Sequence, residues 1–130
     1  MAKGDDIQSR LTTLAVKVMD LCESLPKTVA SSTISGQLVR SASAAASNYA
    51  EARGAESRND FIHKLGVTFK ELNETEVWLH MIAEKKLVGE KELQPILAEC
   101  SSLCRIIAAS RTTASRGSTL DRPGRTSTRP

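Results

Sequence analysis

The sequence predicts an all-α fold: an up-down-up-down four-helix bundle over residues 1–113, followed by a disordered tail over residues 114–130. Three observations carry that prediction. Apolar residues recur at three- and four-residue spacing through four successive segments. Aromatics are scarce, at 3%, so the 40% hydrophobic content is mostly Ala, Leu, Ile and Val, a mix that favours helices. The prolines are confined to Pro26, Pro95, Pro123 and Pro130, which leaves long stretches uninterrupted. A chain of 130 residues suffices for one hydrophobic core and is too short for two.

The first helix is expected over residues 5–25, where Ile7, Leu11, Leu14, Val18, Leu21 and Leu25 form one stripe. Asp5 and Asp6 suit the positive end of its dipole, and Pro26 ends it. After a connection over residues 27–32, Ser31, Ser32 or Thr33 can cap a second helix that runs to about Ala52. Its inward face is read as Ile34, Leu38, Ala42, Ala45 and Tyr49. The run Ser41-Ala42-Ser43-Ala44-Ala45-Ala46-Ser47 is small on every face, which lets neighbouring helices approach closely and suggests contacts on more than one side.

Gly54 is placed to end the second helix in a left-handed conformation, and Ser57-Arg58-Asn59-Asp60 resembles a capping box that opens the third. That helix extends to about Lys86, before a turn at Gly89. Phe61, Leu65, Phe69, Leu72 and Leu79 mark its stripe, widened by Ile62, Trp78, Met81 and Ile82. A fourth helix over residues 90–113 aligns Leu93, Ile96, Leu97, Cys100, Leu103, Cys104 and Ile107, with Pro95 in its first turns. From Ala114 the composition falls to Ser, Thr, Arg, Gly and Pro, too little apolar surface to offset ordering entropy.

Charge is unevenly distributed. Residues 1–110 hold 13 Lys/Arg against 14 Asp/Glu, whereas residues 111–130 hold five arginines against Asp121 alone. The basic pI thus belongs to the tail. Cys22, Cys100 and Cys104 are an odd count, read as reduced thiols in a cytoplasmic protein. No signal-peptide layout and no apolar run long enough for a membrane span is present.

No Gly-rich phosphate loop, nucleophile elbow or Cys/His pairing appears, so no catalytic residues and no cofactor are expected. Asp60-x-x-His63 and the series Glu76, His80, Glu84 touch on di-iron chemistry without supplying two matched pairs on partner helices, so no metal is expected either. The arginines of the tail, without interleaved aromatics, suit non-specific, salt-dependent phosphate attraction rather than base readout.

Residues Ser47-Asn48-Tyr49-x-Glu51-Ala52, then Ser57-x-x-Asp60-Phe61-Ile62-x-Lys64, then Lys70-Glu71-x-x-Glu74 and Trp78-Leu79, carry a recognisable pattern. Over about residues 7–110 it resembles the bacterial four-helix-bundle family named for the 23S ribosomal RNA intervening-sequence proteins. It is similar also to the accessory variability proteins of diversity-generating retroelements. Ala52 stands where many members have Gly, and Lys70-Glu71 where others have Gly-Ser. The resemblance implies a four-helix bundle assembling as a homopentameric ring. In the retroelement relatives it implies binding to nucleic acid and to a reverse transcriptase.

The expectation is therefore a non-catalytic, homo-oligomeric accessory bundle. Its candidate subunit-interface residues are Asn48, Tyr49, Glu51, Lys64, Lys70, Glu71, Glu74 and Trp78, of which Lys64, Glu71 and Trp78 recur at intervals of seven. Its candidate nucleic-acid contacts, RNA before DNA, are Arg40, Arg53, Arg58, Arg111, Arg116, Arg122, Arg125 and Arg129. The alternative is a scaffold ring whose partner is another polypeptide.

Overall fold

A computed structural model describes residues 3–120 and contains four helices: α1 (Lys3–Glu23), α2 (Val29–Arg53), α3 (Arg58–Lys85) and α4 (Glu90–Leu120). They pack in sequence as an up-down-up-down bundle. The α2–α3 contact is the most extensive and the α1–α4 contact, which closes the bundle, the least. Ile7, Leu11, Leu14, Val18, Leu21 and Leu25 are all buried, as are Leu93, Ile96, Cys100, Leu103, Cys104 and Ile107 of α4. Leu97, the remaining member of that stripe, packs against the core while partly exposed.

Local chemistry sets each helix end. Helix α1 stops at Glu23 through tightened bonds from Ser24 N–H to the Leu21 carbonyl (3.0 Å) and from Leu25 N–H to Cys22 (3.3 Å). Helix α2 starts four residues before Thr33, because Thr28 is the first hydroxyl after Pro26 with extended backbone. Its Oγ1 accepts from the Ser31 N–H at 3.1 Å, so Ser31, Ser32 and Thr33 lie inside the helix rather than capping it. Gly54 ends α2 at φ −99°, not in the left-handed region: its N–H already reaches the Ala50 and Glu51 carbonyls. At α3, the Ser57 hydroxyl accepts from the Asp60 N–H at 3.0 Å, the N-cap half of the capping-box pattern.

The turn expected at Gly89 is made earlier. Lys86 takes φ 53°, its N–H bonding to Ala83 at 3.1 Å while Leu87 N–H reaches Ile82, also at 3.1 Å. That pair of bonds is a Schellman closure, and Leu87 completes it by packing on the core. Gly89 instead starts α4, its carbonyl accepting from Glu92 and Leu93. Helix α4 continues past residue 113 to Leu120. Ser110, Ala114 and Gly117 share one face there, Ala114 is 8% exposed, and the small side of Gly117 receives the Arg58 guanidinium from α3. The fourth helix thus runs seven residues past its expected end at residue 113; residues 121–130 of the expected tail, with Arg122, Arg125 and Arg129, lie outside the described residues.

On α3 the buried face is narrower in apolar content than its stripe suggested. Met81 is 43% exposed, while Thr68, Glu71 and Thr75 are buried. The small residues of α2 explain this: two close backbones leave room for short polar side chains, provided each finds a partner.

Candidate functional site

The α2–α3 seam collects most of the residues singled out in the sequence. In its interior, Ser41 and Thr75 are fully buried with their hydroxyl oxygens 2.8 Å apart. Thr75 Oγ1 also lies 2.8 Å from the Glu71 carbonyl, and Ser41 Oγ lies 3.3 Å from that of Leu38. Each hydroxyl has one proton, so one donates across the seam while the other donates to a carbonyl of its own helix.

Outside this pair lies a charged cluster. Arg40 of α2 reaches Glu71 (Nη1 to Oε1, 3.2 Å) and Glu74 (Nη2 to Oε2), while its Nε donates to Gln37 at 3.0 Å. Trp78 Nε1 donates to the same Glu74 oxygen at 3.1 Å. The Arg40 and Trp78 hydrogen bonds hold the Glu74 carboxyl below its ordinary range. Glu71 is 9% exposed, so its pairing with Arg40 spares it a buried unpaired charge. One turn pair nearer the start of α3, Lys64 donates to Glu51 of α2 at 2.6 Å, and that bond raises the lysine pKa.

Within one protomer two members of the line of sevens meet α2, Lys64 through Glu51 and Glu71 through Arg40, while Trp78 is tied back to Glu74 of its own helix. Asn48 donates to the Ala44 carbonyl of its own helix at 2.9 Å. Tyr49 is buried in the core of its own bundle, which leaves little of its ring for a second copy; burial also raises its pKa. Lys70 is exposed beside the cluster.

The cation candidates divide. Arg40 is engaged as described, and Arg53 pairs with Asp5 of α1. Arg10, not singled out before, makes a two-pronged bond to Glu99 of α4, both contacts at 2.8 Å, with Ser102 accepting at 3.1 Å. Arg58 lies against Gly117 at the end of the bundle, and Arg111 lies over Gly66 of α3. Arg111 and Arg116 are exposed and form no ion pair among the described residues, and the same holds for Arg105, which the tail-centred reading overlooked. Spacing could have found it, since Arg105 and Arg116 are eleven residues, three turns, apart on one side of α4.

The residues weighed for metal chemistry are scattered. His63, His80 and Glu84 are exposed, while Glu76 turns to the Ser101 hydroxyl and to Cys104 Sγ at 3.9 Å. No group of three or more His, Cys, Asp or Glu side chains among the described residues is placed to hold a metal ion. Cys100 donates to the Leu72 carbonyl at 3.5 Å, and hydrogen bonding with Cys104 and burial push its thiol up, as for an unreactive core cysteine. No described helix is long and apolar enough to cross a membrane.

A solved structure with the same architecture is that of a protein with unknown function from the S23 ribosomal protein family of Bacteroides thetaiotaomicron VPI-5482. The match has a TM-score of 0.76 at 26% identity, covering 85% of this chain and 99% of that one. No curated protein matches the chain. Across residues 6–109, from the first turns of α1 to the second half of α4, the chain matches the family model described as 23S rRNA-intervening sequence protein, and it belongs to that family.

Proposed function

We propose that this bundle is a non-catalytic, self-associating accessory protein of the cytoplasm that attracts RNA phosphates through the second half of α4 and the arginines beyond it. The observation that carries this reading is the division among the cations. Arg10, Arg40, Arg53 and Lys64 are each neutralised by a carboxylate, whereas Arg105, Arg111 and Arg116 on α4 form no ion pair among the described residues. Arg122, Arg125 and Arg129 follow the same helix in sequence. Such a strip supplies sequence-independent attraction, and a homopentamer would multiply it by presenting five copies.

Binding of a single-stranded RNA to the full chain, measured across salt concentrations, tests the reading. Removing residues 121–130 takes away three arginines and is expected to flatten the log–log salt slope by about 2, at roughly 0.7 per phosphate contact. Arg40→Gln is expected to leave that slope unchanged, since Arg40 is committed to Glu71 and Glu74. Absence of binding even at low salt would discard RNA as the partner.

A second reading, a scaffold ring whose partner is another polypeptide such as a reverse transcriptase, draws on a different feature. Val77 and Met81 are 51% and 43% exposed, and with Ile34 they line an apolar groove between α3 and the start of α2. Light scattering of the purified chain decides whether self-association belongs to either reading.

A further inference from the structure

The connection between α1 and α2 lies at the end of the bundle opposite the last turn of α4, and it contains an open cleft of about 810 Å³. One wall is the first turn of α2. Thr28 caps this 25-residue helix and takes the Ser31 N–H, but the N–H groups of Val29 and Ala30 have no carbonyl one turn behind them. No acidic side chain stands in that turn to offset the positive end of the dipole.

Ser31 supplies an independent observation. It lines the cleft, is 1% exposed, and its hydroxyl has no hydrogen-bond partner among the described residues. A buried unpaired hydroxyl is costly, and elsewhere in α2 the equivalent problem is solved: buried Ser41 is paired with Thr75. Lys27, immediately before the cap, lines the same cleft and adds a cation. Glu23 lines it from the α1 side and opposes an anion there, so an anion would sit on the α2 side, against the open amides and Lys27.

We infer that this cleft is a binding site for a single phosphate group. The donors are the Val29 amide and the Ser31 hydroxyl, both of residues that line the cleft, with the Ala30 amide one residue further into the same open turn and Lys27 as countercharge. Open N–H groups of a first helical turn, an unpaired O–H and an ammonium suit the several acceptor oxygens of a phosphate. The site is independent of the α4 arginines, which occupy the other end of the molecule.

The test is a titration of inorganic phosphate into the full chain, followed by backbone-amide NMR. Val29 and Ala30 amides are expected to shift with a dissociation constant on the order of 1 mM. Ser31→Ala is expected to weaken binding about tenfold, the loss of one hydrogen bond to a charged group, while leaving Tm unchanged or raised. Lys27→Gln, at an exposed position, is expected to weaken it about threefold and serves if the serine variant does not fold. A 5′-phosphorylated RNA oligonucleotide and its 5′-hydroxyl twin separate the sources. A response to the phosphorylated strand alone identifies an RNA end, and a response to inorganic phosphate without that preference identifies the free anion. Unmoved amides at about 10 mM phosphate, ten times the expected constant, would overturn the proposal. Equal affinity in the Ser31→Ala variant, with only its stability raised, would overturn it too.

Discussion

The α2–α3 seam and the α1–α4 seam belong to one bundle and are built from different materials. To the first, α2 contributes buried Ser41, Ala42, Ala45 and Ala52, and α3 contributes Thr68, Glu71 and Thr75. To the second, α1 and α4 contribute mainly Leu and Ile, with one exposed-edge pair, Arg10–Glu99. Small side chains bring backbones together and maximise contact along the seam, but each polar atom trapped there then requires a partner. Large aliphatics fill space by volume and leave gaps where the helices diverge. One such gap is the cleft of about 660 Å³ lined by Ile7, Phe61 and Ile106 at the α4 end. The polar seam specifies alignment through discrete pairs; the apolar seam supplies burial.

Breaking each seam should therefore give different signatures. Leu103→Ala removes a fully buried aliphatic of α4 and is expected to cost about 2–5 kcal/mol by chemical denaturation, the largest effect here. On the polar side, Ala45→Leu would overfill a position with no free surface, at a cost of about 1–3 kcal/mol.

Thr75→Val leaves the Ser41 hydroxyl without its cross-helix partner and should also cost about 1–3 kcal/mol. The Ser41→Ala, Thr75→Val double variant should recover much of that loss. A strictly additive double-mutant cycle would show that the hydroxyl pair does not couple the helices. Arg10→Met, at the edge of the apolar seam, should change stability by only about 0.5 kcal/mol, because both partners are a third exposed.

The smallest effect is spectroscopic and sharpens the comparison at one residue. Trp78 is the only tryptophan and donates to Glu74, so its fluorescence reports that carboxylate. The Glu74 pKa is depressed in the folded chain, so its contribution to stability is complete above the ordinary glutamate value of about 4.3 and is lost as pH falls through the folded value. The fluorescence midpoint should lie below the ordinary value, and Arg40→Gln should move it upward. An unmoved midpoint would mean that the arginine does not hold Glu74.

Much of this was legible without coordinates. The spacing of Ile7 to Leu25 and of Leu93 to Ile107 reads directly as core, because a long aliphatic stripe on a helix has few alternatives to burial. The polar seam was not legible in the same way. Lys64, Glu71 and Trp78 stood out by period, yet period alone does not say whether such a line meets a sister subunit or the helix next door. Ser41 stood out only as part of a small-residue run, and Thr75 gave no signal, since short hydroxyl residues are equally at home in water. The end of α4 was drawn too early because Ala114 and Gly117 look like tail composition until Arg58 and Phe61 are set against them.

What residue order determined by itself was the number of helices, their succession and the aliphatic half of the core, since periodic burial is a property of each segment alone. Which arginines are committed to carboxylates, which hydroxyls are paired, and which serine is left unpaired beside a cleft were decided by tertiary structure. These depend on distances between residues about 30 to 90 positions apart, such as Ser41 with Thr75 and Arg10 with Glu99. Only the packing of one helix on another brings such pairs within hydrogen-bonding reach.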